Sequence, residues 1–121
     1  MQYLLLIYGD EKAHAARIAA DPAALQTEMA EYYAFGDAAA KAGVLRSGEA
    51  LHTTDQAVTV RVRGGQALQT HGPFAETKEQ LGGYYLVECA NLDQAIEWAA
   101  RIPGARDGSV EIRPIVDFTQ A

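Results

Sequence analysis

Two apolar runs constrain this chain more than anything else in it. Tyr3-Leu4-Leu5-Leu6-Ile7-Tyr8 is unbroken, and Tyr84–Cys89 is interrupted only by Glu88. Successive strand residues point to opposite faces, so strands of this composition must be covered on both sides. At 121 residues and 49% hydrophobic, the chain is expected to form a single domain over 1–121 with one core.

The rest of the pattern supplies cover for one side only. Asp10 can cap a short helix over Glu11–Ala20. Asp21-Pro22 is a helix start, with Asp21 as cap and Pro22 in the first turn. That helix should run to about Ala42, end at a left-handed Gly43, and carry Leu25, Met29, Tyr32 or Tyr33, Gly36 and Ala40 as its apolar stripe. A last helix, opened by Asn91 and Gln94, runs to Arg101 with Ile96, Ala99 and Ala100 inward. Strands are expected over Val44–His52, Ala57–Arg63, Gln66–Thr70, Tyr84–Cys89 and Val110–Arg113. Gly64-Gly65 forms the two-residue hairpin turn. The order predicts an α+β fold, an antiparallel sheet with helices on one face. The second face is left for a partner, so a homodimer joined sheet to sheet is expected.

Charge and cysteine content narrow the function. The net charge is −6, with 16 acidic and 10 basic residues. That balance argues against binding a phosphate backbone, hence no nucleic-acid partner. The lone Cys89 excludes an internal disulfide and a cysteine-built zinc site, and no two histidines have metal-ligand spacing, so neither a metal nor a cofactor is expected. No apolar run approaches the length of a membrane span, and no leader pattern is visible. The expectation is a cytoplasmic protein with no membrane association.

The candidate site lies in His71-Gly72-Pro73-Phe74-Ala75-Glu76-Thr77-Lys78-Glu79-Gln80-Leu81-Gly82-Gly83-Tyr84-Tyr85. Gly72-Pro73 makes a turn, and Phe74 is expected to anchor it in the core. Glu76, Thr77, Lys78 and Glu79 are then a polar cluster, read either as a solvated helical turn or as a pocket mouth on a rigid scaffold. Gly82-Gly83 suits a strand bulge. Tyr84 and Tyr85 face opposite ways, one able to bring its hydroxyl into a pocket. The ligand-binding candidates are therefore Phe74, Glu76, Thr77, Glu79, Tyr84 and Tyr85. His71 and Lys78 are the catalytic candidates, as acid or base and as electrostatic stabiliser. His14 and His52 read as ordinary surface histidines.

This stretch resembles the signature of the DGPF-domain proteins, a branch of the YCII-related family. The likeness extends over Tyr3–Asp10, Ala42–Leu51, Gly72–Glu79, Leu81–Tyr85, Ala95–Pro103 and Val110–Pro114. It implies a dimeric ferredoxin-like fold, a barrel-like α/β assembly of two subunits, and a bacterial protein linked to sigma-factor regulation. His71 stands where the family usually has Asp. The His–Asp pair proposed as an active site in YCII proteins does not carry over, since Tyr32 falls near the position of that His. Two functions stay open: a ligand-binding or interaction module, and a cofactor-independent isomerase or monooxygenase-like enzyme acting through His71.

Overall fold

A computed structural model of the chain describes residues 1–119. Strand β1 (Gln2–Gly9) leads into helices α1 (Glu11–Ala20) and α2 (Ala23–Lys41), then strand β2 (Leu45–Ala50). A hairpin of β3 (Val58–Arg63) and β4 (Gln66–His71) follows, then β5 (Gln80–Glu88), helix α3 (Leu92–Ala100) and β6 (Ser109–Pro114). The main sheet has the order β2-β5-β1-β6, with every neighbouring pair antiparallel. Leaving the hairpin aside, this is strand, helix, strand, strand, helix, strand with the first and last strands adjacent. It is an α+β architecture consistent with a ferredoxin-like fold.

The apolar runs become the two central strands, β1 and β5. One face of the sheet carries Tyr3, Leu5 and Val87, all buried, with Ile7, Tyr85, Val110 and Ile112 at the margin. Phe35 and Ala39 of α2 and Ala95, Trp98 and Ala99 of α3 close over it. Phe35 lies between Tyr85 and Trp98, at centroid distances of 4.8 Å and 6.0 Å. On the other face Leu4, Leu6, Tyr84 and Leu86 are only half-buried. The β1–β5 register shifts after Ile7, where Gly82 is the extra residue, so the glycine pair does mark a bulge.

The helix faces differ from the sequence expectation. The core stripe of α2 is Phe35 and Ala39, flanked by Tyr32 and Ala38, while Leu25 and Met29 are exposed and so is Ala40. Of the expected stripe Tyr32 does pack against the core, whereas Leu25, Met29 and Ala40 do not; Phe35, whose ring meets Tyr85 and Trp98, sets the face instead. On α3 the buried residues are Ala95, Trp98 and Ala99, and Ile96 and Ala100 face out. The indole needs the sheet, and its placement fixes the helix rotation.

The caps are mostly as the residues dictate. Asp10 accepts from the Ala13 N–H, and Asn91 from the Gln94 N–H. Gln94 reaches back to the Ala90 N–H rather than to Asn91. At α2 the Asp21 carboxylate makes no cap bond; its backbone carbonyl accepts from Ala24 instead. Gly43 takes φ +75°, as a helix-ending glycine should.

The β3–β4 hairpin stands outside the main sheet. Gly64 and Gly65 both have positive φ, as a type I′ turn requires. The register puts Val58, Val60 and Val62 on one face, and all three are more than half exposed.

The central strand tests the core directly. Leu5 has no solvent exposure, so Leu5→Ala is expected to cost about 2–5 kcal/mol through lost burial and the cavity left behind. A urea unfolding midpoint unchanged by the substitution would contradict the packing described.

Candidate functional site

A cleft of about 1000 Å³ opens between α1, the first half of α2 and the ends of β1, β2 and β5. Its deep wall is tyrosine. Tyr85, on the helix-facing side of β5, and Tyr32, on α2, both line it. Glycines make room for these rings. A side chain at position 48 would place its first carbon 2.5 Å from Tyr85 Cδ1, and one at position 104 would lie 2.7 Å from the Tyr32 hydroxyl.

Helix α1 is the outer wall, and it buries no residue. Polar contacts hold it. The Glu11 carboxylate accepts from the Thr54 backbone N–H at 2.8 Å and from its hydroxyl at 2.7 Å. The Glu11 N–H donates to Gln80 Oε1 at 3.0 Å. His14 Nε2 lies 2.7 Å from Glu28 Oε2, and Arg17 reaches Asp107 at 3.3 Å and Glu28 at 3.9 Å. Arg106 pairs with Glu31 on the opposite side. Helix α1 is thus tied to α2, to the loop after β2 and to the entry of β5, and those ties define the cleft.

Burial raises the phenol of Tyr85 above its ordinary range. Burial raises Tyr32 as well, helped by the nearby Glu28 carboxylate and opposed by the Gly104 N–H and by Arg106. Both hydroxyls therefore stay protonated across the physiological range. They offer neutral donors and aromatic faces, not charge.

The residues singled out from sequence divide between two places. Tyr84 and Tyr85 both border the cleft, Tyr85 with its side chain on the helix-facing side and Tyr84 with its side chain on the open face of the sheet. The remaining candidates do not. His71 ends β4 and is exposed, as are Glu76, Thr77 and Lys78. Phe74 is 80% exposed, so it does not anchor the turn in the core as expected. The loop is held by polar bonds instead. The Thr59 hydroxyl donates to the Gly72 carbonyl at 2.8 Å, and the Ser109 hydroxyl donates to Glu79 Oε1 at 2.8 Å. No helical turn forms over Glu76–Glu79.

Sequence reading passed over His14 and Glu28, which meet because the Asp21-Pro22 turn folds α1 beside α2, and over Glu11, whose partners are Thr54 and Gln80. Tyr32 carried a signal: it lies three residues before Phe35 and seven before Ala39, on one helical face.

Two consequences can be measured. For Tyr32 and Tyr85 the folded-state value lies above the unfolded one. Their contribution to stability is therefore complete below about pH 10 and is lost as pH rises through the folded values. The double variant Tyr32→Phe, Tyr85→Phe is expected to flatten the alkaline fall in urea stability; an unchanged alkaline slope would contradict the burial described. Separately, Gly48→Ala should push the Tyr85 ring out of place at a cost of about 1–3 kcal/mol. A melting temperature equal to that of the parent chain would show that the glycine makes no such room.

The chain is 37% identical over 124 residues to an uncharacterised protein of Rhizobium meliloti (strain 1021), an alignment covering 95% of this chain and 92% of that protein. The YCII-related domain matches residues 1–119, a span that takes in the cleft, the hairpin and the loop from His71 to Tyr85. The chain therefore belongs to the YCII-related family.

Proposed function

We propose that this chain is a small ligand-binding module that works as a homodimer and holds its ligand in the tyrosine cleft. One observation carries the reading. The cleft, of about 1000 Å³, is large enough for a metabolite-sized molecule, and its wall combines apolar surface with a few fixed polar groups, as ligand sites do. Residues 1–121 act as one domain in this reading.

The dimer reading rests on surface that one subunit leaves bare. Leu4, Leu6, Tyr84 and Leu86 are half-buried on the open sheet face, Val58, Val60 and Val62 form an exposed stripe on the hairpin, and Phe74 is exposed in the loop that follows it. An isolated two-stranded hairpin is marginal in water, so a partner that covers it supplies what the single subunit lacks. In a barrel-like α/β dimer, Phe74 anchors on the second subunit. His71, Glu76, Thr77, Lys78 and Glu79 then enter the site only through the assembly. Ligand occupancy read out by an interaction partner, such as a sigma-factor pathway, is the regulatory form of the same proposal.

A second reading, a cofactor-independent enzyme, is favoured by one feature. His14 and Glu28 form a histidine–carboxylate pair on the cleft wall, 2.7 Å apart, and such a pair can shuttle a proton. His71, exposed and outside the cleft, is the weaker candidate for that work within one subunit.

Light scattering on a gel-filtered sample tests the assembly. Twice the chain mass of 13.0 kDa is expected at micromolar concentration, with Val60→Glu on the hairpin shifting it toward the monomer. A monomer mass for the parent chain would overturn the dimer. Turnover of a cleft ligand that His14→Gln abolishes, with binding retained, would replace the binding module by the enzyme.

A further inference from the structure

The cleft has a charge character that its tyrosines do not reveal. Its lining carries six carboxylates, on Asp10, Glu11, Asp21, Glu28, Glu31 and Asp107, against two guanidiniums, Arg17 and Arg106; Glu49 borders it as well, but it pairs with Tyr84 and shares that residue's face of the sheet. Both arginines are already engaged, Arg17 by Asp107 and Glu28 and Arg106 by Glu31. No cation of the wall is left over for an anionic ligand. Four carboxylates remain in excess over the guanidiniums, so much of the acidity of a −6 chain gathers around one concavity. A concave, partly apolar site of one sign concentrates its field and raises the local concentration of the opposite charge.

The interior is of another kind. Leu25 and Met29, large apolar side chains of α2 that are 41% and 45% exposed, face this cleft with Ile7 and the rings of Tyr32 and Tyr85. Both rings line the cleft with their phenols kept neutral by burial, and neutral aromatic rings attract cations. Acid at the rim and aromatic and aliphatic surface within match one class of molecule.

Resting on the cleft being the ligand site, we infer that its ligand is an organic cation, a protonated amine carried on an apolar or aromatic body. The ammonium meets the surplus carboxylates and a tyrosine face. The body covers Leu25, Met29 and Ile7. Phosphorylated or carboxylate-bearing metabolites are repelled.

Three probes on one carbon skeleton test this: phenylpropylamine, phenylpropanol and phenylpropanoate. Binding is followed by amide chemical-shift perturbation of the full-length protein. The amine is expected to bind at least about tenfold more tightly than the other two, a difference worth about 1.4 kcal/mol. Its shifts should centre on Tyr32, Tyr85 and Met29. Raising the ionic strength should weaken the amine and leave the alcohol unchanged, since salt screens only the charged term. Glu28→Gln should lower the amine's affinity several-fold; Asp21→Asn, at an exposed cleft position whose carboxylate makes no cap bond, repeats the test where folding is not at stake. Equal affinities for the three probes, or tighter binding of the carboxylate, with shifts still in the cleft would overturn the ligand class and leave the site standing. Shifts confined to other surfaces, or none from any probe at millimolar concentration, would overturn the class and the site together.

Discussion

The contact of Phe35 with Tyr85 and Trp98 organises the molecule. It joins α2, β5 and α3 through three rings, with Phe35 tilted at 48° to Tyr85 and edge-on at 81° to Trp98. Such pairs contribute about 0.5–1.5 kcal/mol beyond the area they bury, and here they also set rotation. Once Phe35 is seated, the helical period puts Tyr32 one turn earlier on the same side. Tyr85 is then held between Phe35 and the space opened by Gly48. The interaction that seals the core also builds the wall of the cleft, so stability and site geometry are not separable at these residues.

Helix α1 follows a different logic. It contributes no buried residue and is fastened by Glu11, His14 and Arg17 to three separate elements. Contacts of this kind are individually weak when exposed. Acidic surplus on the rim is also what a wall assembled from ion pairs leaves when its few cations have all been used. In the proposed reading, the same charges that tie down α1 define what the cleft attracts.

Much of the fold could be read from the residues. The apolar runs gave the central strands, Gly64-Gly65 gave the hairpin, and Asp10 and Asn91 gave two helix starts that the structure retains. Helix rotation was harder to read, because small residues are so common on α2 and α3 that several faces look equally apolar. Only the reach of Phe35 and Trp98 across the sheet decides between them. The site was half legible. Tyr84 and Tyr85 stood out locally, whereas His14 and Glu28 are far apart in sequence and meet only through the crossing of two helices. The loop from Gly72 to Glu79 is distinctive in sequence, yet it lies outside the cleft and leaves Phe74 in solvent. A conspicuous motif and a concave site are different things here.

The central claim is that ligand binding belongs to the tyrosine cleft rather than to that loop. A crystallographic fragment screen addresses it most directly. The account predicts that bound fragments cluster between α1, α2 and β5, in contact with Tyr32 and Tyr85. Fragments gathered at Phe74–Lys78, with the cleft empty throughout the screen, would contradict it.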